Sequence, residues 1–411
     1  TDEQGNHHIR LEQIFQGVPV WGGEVIAHTK TGAFERVNGR YFPTPQLASL
    51  VPALTGADAV TAVKAKIGVE KVKKSWSEKE LQLIDGQPFS AQLLIFHLGG
   101  ATNGERLAYH VVAHPNILSR LVYFVDANSG EILDSYDNTC NFVGHHHDKS
   151  STEVCVPPSE FPVVSAEAPT MIDGKVTVSG QDLFNATQTF TLGGWQAGTK
   201  AYLVNANKSM FNLGNSSMPN NPVGAIVTYD GLNGSPEISN FNFVVVQSSN
   251  TTFNGTNQKA AISAHLNAGL SFDYYLSKFS RNGIDGTGGN IESFVNITES
   301  DGSSMENAFW NGAAMWYGNG GSTFKPLARG LDVGGHEMTH GVVEKTANLV
   351  YQGESGALNE SFADIFGAMI DSDDWKIGED VMQAGVNPNN CLRDLSNPHN
   401  GVNSNSPWWQ P

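Results

Sequence analysis

The pattern of hydrophobic and polar positions changes twice along the chain. Residues 7 to 41 alternate apolar and polar side chains, which is typical of antiparallel strands, with breaks near Gly17 and Gly22. After Pro52, the pattern predicts a short amphipathic helix, ADAVTAVKAKIG (57 to 68), packed on a small sheet. The segments predicted as strands of that sheet are LQLI (81 to 84), QLLIFHLGG (92 to 100), RLAYHVVAH (106 to 114) and RLVYFVDANSGEIL (120 to 133).

The second change divides the chain near its middle. Polar, proline-containing sequence follows Asn138 and is typical of a linker. Short strands with Asn and Gly turns come next, and from residue 258 long helical patterns begin with QKAAISAHLNAGLSFDYYLSKF. We therefore predict an α+β fold. Its segments are two strand-rich units (1–52 and 53–138), a linker with a processing site (139–175) and a larger domain with strands followed by helices (176–411).

Composition limits the classes of partner. The 411 residues carry a formal net charge of −17, which argues against nucleic acid or an anionic membrane as the main partner. No apolar run is long enough to span a bilayer. A secreted soluble enzyme fits this composition, as do many cytosolic proteins. Cys140 and Cys155 are either a short disulfide loop or two free thiols, and Cys391 would then be unpaired in this chain.

The pentapeptide HEMTH, residues 336 to 340, suggests a metal site. On a helix, His336 and His340 lie on the same face and can bind one cation, while Glu337 stands beside the open coordination position. A catalytic zinc site needs three protein ligands and a water molecule, and a nearby carboxylate can take the proton of that water. A third ligand is therefore required.

The helical segment GALNESFADIFGAMID, residues 356 to 371, offers that ligand. We predict that its apolar stripe faces a core, and its other stripe carries Glu360, Asp364 and Asp371 without a basic residue. Such a stripe is either a solvated acidic face or a cation site. Together with HEMTH, Glu360 is the predicted third ligand, and Asp364 is placed to orient a zinc-bound histidine. The apolar stripe comprises Leu358, Phe362, Ile365, Phe366 and Met369.

These motifs resemble the thermolysin family of neutral zinc metalloendopeptidases. GHEMTHGVVEKTANLVYQGESGALNESFADIFGAMID is similar to the family's zinc-binding core, which carries HExxH and a downstream NExxxD. ENAFWNGAAMWYG (306 to 318) is similar to its substrate-binding segment. FKPLARGLDVGGHE, DWKIGED and CLRDLSNP resemble the flanking segments, so the resemblance extends over residues 200 to 400.

The resemblance implies a role for each matching residue. His336, His340 and Glu360 would bind zinc, Glu337 would act as general base, and Tyr351 would donate a hydrogen bond to the oxyanion. The other implied residues form the substrate site: Asn307 and Ala308 at the substrate backbone with Trp310 beside them, Arg393 at the carbonyl after the cut bond, and Phe324, Val333, Ile377 and Leu392 around an apolar side chain. Cleavage on the amino side of bulky apolar residues is the implied specificity.

The resemblance also implies structural calcium close to these helices. Clustered carboxylates suit calcium, and the alternative role for Asp332 is to cap the first helix. Lys376 stands where a two-calcium site has a further glutamate, which favours one ion. The matching residues are Asp332, Asp371, Asp374 and Glu379.

The first half of the chain resembles the propeptides of the same family, with a strand-rich unit followed by a PepSY-like unit. Such segments are implied to assist folding and to inhibit the enzyme until they are cut off. Because the chain given ends at Pro411, we expect the family's helical C-terminal lobe, with its transition-state histidine, to be mostly absent or supplied by a separate chain. The alternative is a non-catalytic fragment, or an inhibitory or binding module that retains zinc.

Overall fold

The computed structural model describes residues 5–30, 32–84, 86–98, 104–143 and 173–400. The chain forms two compact units. The first comprises Thr1–Trp76, Gly86–Pro115 and Ser119–Asp137, and the second comprises Ser77–Asp85, Asn116–Leu118 and Asn138–Pro411. Cys155, and with it the possible bridge to Cys140, lies outside the described residues, as does most of the predicted linker.

The first unit is built on one seven-stranded sheet. Its strands are β1 (His7–Phe15), β2 (Val18–Lys30), β3 (Ala33–Arg40), β4 (Phe89–His97), β5 (Glu105–Ala113), β6 (Leu121–Asp126) and β7 (Ile132–Asp137). Their order is β1-β2-β4-β5-β6-β7, and β3 pairs with β2. Val20 of β2 pairs in parallel with Ile95 of β4, so the predicted units 1–52 and 53–138 share this sheet.

Helix α1 (Gly56–Ile67) covers this sheet, in agreement with the predicted helix. Thr55 caps it by accepting a hydrogen bond from the Asp58 N–H, and Ala59 and Val63 are buried in the apolar cluster beneath it. The strand predicted at residues 81 to 84 is wrong, because helix α2 (Glu78–Gln82) and a turn occupy this segment. A capping box between Ser77 and Glu80 begins that helix, and α2 belongs to the second unit.

In the described residues, the second unit contains three sheets. Its strands are β8 (Cys140–Asn141), β9 (Gly174–Gln181), β10 (Thr187–Ala197), β11 (Lys200–Tyr202), β12 (Val204–Asn205), β13 (Ile226–Gly234), β14 (Val244–Val245), β15 (Gln247–Ser248), β16 (Thr252–Phe253), β17 (Ile291–Ile297), β18 (Ala308–Trp310), β19 (Met315–Gly318), β20 (Lys376–Ile377) and β21 (Arg393–Asp394). The sheet orders are β15-β11-β10-β9-β16, β12-β13-β17-β19-β18-β8 with β14 on β13, and β20-β21.

Three longer helices complete the second unit: α3 (Gln258–Phe279), α4 (Leu331–Glu344) and α5 (Gly353–Asp371). Helix α3 has the bounds that its sequence pattern predicts. Ala264, Ala268 and Phe272 of α3 pack with Val333 and Met338 of α4 in one apolar core. Of the described helices, none has the length and apolar character that a membrane crossing requires.

Helix α5 exposes four of the five residues of the stripe that the sequence predicted to be in a core, whereas Phe366 is partly buried and packs against the core as predicted. Leu358, Phe362, Ile365 and Met369 are each more than a third exposed in the described part of the chain. Asp364, in contrast, is buried. The faces were predicted from hydrophobicity, whereas the Asp364 carboxylate is buried because histidine and arginine side chains satisfy it.

Candidate metal centre and active site

Two glycines allow α4 and α5 to approach closely. A Cβ on Gly335 would lie 3.3 Å from the Gly367 Cα, and a Cβ on Gly367 would lie 2.8 Å from the Asp332 carbonyl oxygen. Side chains at these positions would therefore push the helices apart. This contact brings the acidic stripe of α5 against the histidines of α4.

The three predicted zinc ligands converge. The Nε2 atoms of His336 and His340 are 3.0 Å apart, and they lie 3.4 Å and 3.5 Å from the carboxylate oxygens of Glu360. Both histidines are fully buried. Ligand atoms of these three residues lie within 4.8 Å of one another, which is the spacing of donors around one ion.

The outer nitrogen of each imidazole is held by an acceptor on α5. His336 Nδ1 donates to Asp364 Oδ1 at 2.9 Å, and His340 Nδ1 donates to Asn359 Oδ1 at 2.9 Å. These bonds direct both Nε2 lone pairs at the same point. The sequence predicted the role of Asp364 but not that of Asn359. Asn359 directly precedes the predicted ligand Glu360, and this position was the signal that could have identified it.

The electrostatics of the cluster favour a cation. Burial opposes protonation of His336, but Asp364 and Glu360 outweigh it and raise the pKa of His336 to about 10. Burial lowers the pKa of His340 to about 4, so this ring stays neutral. Two nitrogens and a carboxylate thus surround a point where positive charge is stabilised. The donor set fits zinc, because two imidazole nitrogens and a carboxylate are the three protein ligands that a catalytic zinc site uses.

Glu337 is buried next to this point. Burial raises the pKa of its carboxyl to about 8, with His336 acting in the opposite direction. In the described part of the chain, neither carboxylate oxygen has a hydrogen-bond partner. A buried carboxyl left without a partner is costly in a folded protein, and it is suited to exchanging protons with a water molecule or substrate.

Tyr351 and Arg393 border the same cluster. The Tyr351 hydroxyl donates to Glu360, and burial raises the pKa of the phenol well above its ordinary value, so it stays a donor. Arg393 donates to both oxygens of Asp364, at 2.6 Å and 2.7 Å. Asp364 therefore links a predicted ligand, His336, with a predicted substrate-binding cation.

Of the predicted substrate-binding segment 306–318, Ala308 and Trp310 lie in strand β18 and Asn307 directly precedes it. Asn307 Oδ1 accepts from the Ala308 N–H at 2.9 Å, which fixes the amide. Trp310 is buried and donates from Nε1 to Glu344 at 3.1 Å. The predicted pocket residues are all buried in one apolar cluster: Phe324, Val333, Ile377 and Leu392.

A second acidic group lies at the start of α4. Oxygens of Asp332, Asp371 and Glu379 lie within 4.8 Å of one another. Burial raises the pKa of all three carboxyls, and repulsion from neighbouring carboxylates adds to it. In the described chain, Asp332 Oδ1 and Glu379 Oε2 have no hydrogen-bond partner. The helix is capped at Gly330, so Asp332 is not its N-cap.

Asp374 is the one predicted calcium residue that this group does not include. Its carboxylate accepts from the Lys376 N–H at 2.6 Å and pairs with Lys376 Nζ at 3.0 Å. Asp374 is therefore paired with Lys376, the residue that stands where a two-calcium site has a further glutamate.

Known proteins resemble this chain along most of its length. Residues 178–344 match the model of the thermolysin metallopeptidase catalytic domain, residues 347–409 that of its alpha-helical domain, and residues 1–41 the fungalysin/thermolysin propeptide motif. The chain is 32% identical to bacillolysin of Bacillus cereus over 404 residues, which are 95% of this chain and 63% of the relative. It is 30% identical to thermolysin of Alicyclobacillus acidocaldarius subsp. acidocaldarius over 414 residues, covering 97% of this chain and 65% of the relative.

A solved structure, the precursor of protealysin from Serratia proteamaculans, is 30% identical and covers 46% of this chain and 58% of that one. Its TM-score of 0.37 is too low to support an argument about the fold. The chain thus spans less than two thirds of the length of the relatives named above.

These matches give the chain a thermolysin-type metallopeptidase domain model at residues 178–344, preceded by a propeptide motif at residues 1–41. The chain belongs to the thermolysin family. The expectation that the helical C-terminal lobe is mostly absent is wrong, because the model of that domain matches from residue 347 onwards. The error arose from the boundary: α5, which carries Glu360, was assigned to the catalytic domain but lies within the helical-domain match.

Proposed function

We propose that this chain is the precursor of a secreted zinc metalloendopeptidase that hydrolyses peptide bonds on the amino side of bulky apolar residues. The observation that supports this most strongly is the buried convergence of His336, His340 and Glu360 beside the unpartnered carboxyl of Glu337. In the described chain, this group contains three residues, and a purely structural zinc site would need a fourth protein ligand.

In the proposed reaction, His336, His340 and Glu360 would hold a zinc ion, which would supply Lewis-acid polarisation of the attacking water and the substrate carbonyl. Glu337 accepts the proton of that water and passes it to the leaving nitrogen. The Tyr351 hydroxyl donates to the oxyanion, and Arg393, held by Asp364, binds the next carbonyl. An apolar side chain after the cut bond packs against Val333 and Leu392.

Substrate specificity gives a direct test. The purified protein is incubated with unstructured peptides that each contain one Phe, Leu, Asp or Gly, and the product termini are identified by mass spectrometry. We expect cuts before Phe and Leu, at least tenfold faster than before Asp or Gly, because an apolar pocket strongly discriminates against charge. A chelator should stop all cuts, and hydrolysis that resists chelation would contradict the proposal.

We propose a calcium ion for the group of Asp332, Asp371 and Glu379, since hard oxygen ligands and mutual repulsion suit it. Removing calcium should lower the midpoint of thermal unfolding, and Asp332→Asn should abolish the difference between calcium-loaded and calcium-free protein. The surface variant Asp273→Asn, whose side chain is 56% exposed, is the control. An equal calcium response in D332N would refute the assignment.

The first half of the chain is proposed to inhibit the enzyme and to assist its folding. The propeptide motif at residues 1–41 supports this role, and the PepSY-like unit at residues 53–138 would share it. We expect separately expressed residues 1–138 to inhibit peptide hydrolysis by the catalytic domain from which they have been removed. Absence of inhibition at a tenfold molar excess would contradict the inhibitory role.

A further inference from the structure

A short segment that precedes the catalytic match lies along the substrate-binding strand. Strand β8 pairs antiparallel with β18, with Cys140 opposite Trp310 and Asn141 opposite Phe309. The next residue continues the pairing, because the Phe142 N–H donates to the Ala308 carbonyl oxygen at 3.0 Å. An extended peptide added to a sheet edge in this way is a known mode of peptide binding.

The side chain of Phe142 fills the apolar pocket. It is fully buried in the same cluster as Val333 and Leu392, and its ring makes an edge contact with His336 at a centroid distance of 5.3 Å. Gly378 leaves room for it, since a Cβ there would lie 3.3 Å from the Phe142 ring. Phe142 therefore takes the place that the proposed function gives to the side chain after the cut bond.

Backbone contacts on the carboxyl side of Phe142 agree with that placement. Arg393 Nη1 donates to the Phe142 carbonyl oxygen at 2.9 Å. The Val143 N–H donates to Asn307 Oδ1 at 2.9 Å. Both partners are residues that the sequence predicted to bind substrate backbone. The segment is thus held in a defined register over two successive residues.

The register also identifies the peptide bond beside the metal-binding residues. The Phe142 N–H points at β18, and a trans peptide is planar, so the Asn141 carbonyl points to the opposite side. The Asn141 N–H points to that side too, where it donates to the Tyr351 hydroxyl at 3.3 Å. Tyr351 in turn donates to Glu360. The Asn141–Phe142 bond therefore lies with its carbonyl toward the proposed zinc ligands.

We infer that the Asn141–Phe142 bond is the bond of its own chain that this site hydrolyses, and that residues Cys140–Val143 block the cleft until it is cut. This inference rests on the proposed peptidase function. In the reaction, the oxygen of water bonds to the Asn141 carbonyl carbon and the C–N bond to Phe142 breaks. Asn141 gains a C-terminal α-carboxylate, and the α-nitrogen of Phe142 receives the proton that Glu337 took from the water.

A cut at this bond differs from one in the polar stretch after Val143. It would separate residues up to Asn141 from the catalytic part and leave Phe142 as a new N-terminus. Arg393 binds the carbonyl oxygen of Phe142, so the residues up to Asn141 would no longer be covalently attached to the residue that Arg393 holds. Substrate could replace the segment on β18.

The test uses the full-length precursor, purified in chelator and then given zinc. Intact masses and N-terminal sequences are followed over time at two protein concentrations tenfold apart, and a separate Phe-containing peptide is assayed in parallel. We expect a new N-terminus at Phe142 that forms at a rate independent of concentration, since the segment already occupies its own site. The variant Glu337→Gln should form none.

Substitutions at Phe142 separate this inference from general proteolysis. Phe142→Asp should slow the cut at this bond by about 100-fold, whereas Phe142→Leu should stay within about tenfold of wild type. Phe34→Asp, at a phenylalanine that is 66% exposed, is the matched control and should cut normally. F142D should also hydrolyse the separate peptide without a lag, which shows that it is folded.

Each result decides between the two proposals. Hydrolysis of the separate peptide without a cut between Asn141 and Phe142 would overturn the inference and leave the proposed function intact. A cut only at other bonds, unaffected by F142D, would do the same. If neither the precursor nor the peptide is hydrolysed in the presence of zinc, the proposed function fails and the inference fails with it.

Discussion

Replacing Asp364 by Asn should disable the site without changing any metal-binding residue. The Asp364 carboxylate accepts from His336 Nδ1 at 2.9 Å and from two nitrogens of Arg393 at 2.6 Å and 2.7 Å. Burial would raise the pKa of Asp364, but Arg393 and His336 outweigh it and hold the pKa below its ordinary value. The ion pair therefore stays charged near neutral pH.

The size of the effect follows from these contacts. Removing one partner of a buried ion pair costs about 3–5 kcal/mol, because the other charge is left uncompensated. The side chain of Arg393 is only 15% exposed, so water compensates little of its charge. Loss of the acceptor behind a zinc-bound histidine typically weakens metal binding by about 10- to 100-fold. We expect both effects in D364N.

Zinc affinity is measured by competition with a chromophoric chelator, and stability by urea unfolding of the chelated protein. Asp273→Asn is the matched control, since Asp273 pairs with Lys208 at 2.7 Å but is 56% exposed. Such a surface pair is worth at most about 1 kcal/mol. Wild-type zinc affinity in D364N, or equal losses of stability in the two variants, would refute the reasoning.

Two further predictions concern other parts of the molecule. Burial beside Trp21 and Phe124 lowers the pKa of His110 from 6.5 to about 4. Below pH 6.5 the unfolded chain therefore binds a proton more readily than the folded protein. The free energy of unfolding is unaffected by His110 above pH 6.5 and falls by about 3 kcal/mol as the pH falls to 4. His110→Phe should lessen this acid loss in urea unfolding, and an unchanged pH dependence would refute the assignment. Gly367→Ala should cost about 1–3 kcal/mol and weaken zinc binding by forcing α4 and α5 apart. Its control is Gly269→Ala on α3, where a Cβ would meet only Lys208 Nζ at 3.9 Å, and equal effects of the two would contradict the argument.

The metal centre was the most predictable part of the molecule from sequence. His336 and His340 are one helical turn apart, and this local periodicity places both rings on one face of α4. The bounds of α3 followed from the same periodicity. Glu360 was predicted from the acidic stripe of a second helical segment, but its convergence with the histidines requires two helices to approach each other, and the close contact of Gly335 and Gly367 that allows this is not a local feature.

The features that the sequence analysis predicted wrongly or missed have physical causes, and only some of these causes are visible in the local sequence. Residues 81 to 84 are apolar like a strand, yet the Ser77–Glu80 capping box begins a helix there, and this signal was readable. The faces of α5 were assigned by hydrophobicity, and the burial of Asp364 depends on Arg393, which is 29 residues away. The pairing of β8 with β18 joins residues more than 160 positions apart and has no local signature.

The most direct test of the account is a parallel measurement of zinc content and peptide hydrolysis in the wild-type protein and in Glu337→Gln. Glu337 is fully buried beside the three converging side chains and is not among them. We therefore expect one zinc ion per chain at this site in both proteins and a fall in hydrolysis of at least about 100-fold in E337Q, the lower end of what a general base contributes. Zinc retained together with near-wild-type hydrolysis would contradict the role of Glu337, and an absence of zinc in the wild-type protein would contradict the site itself.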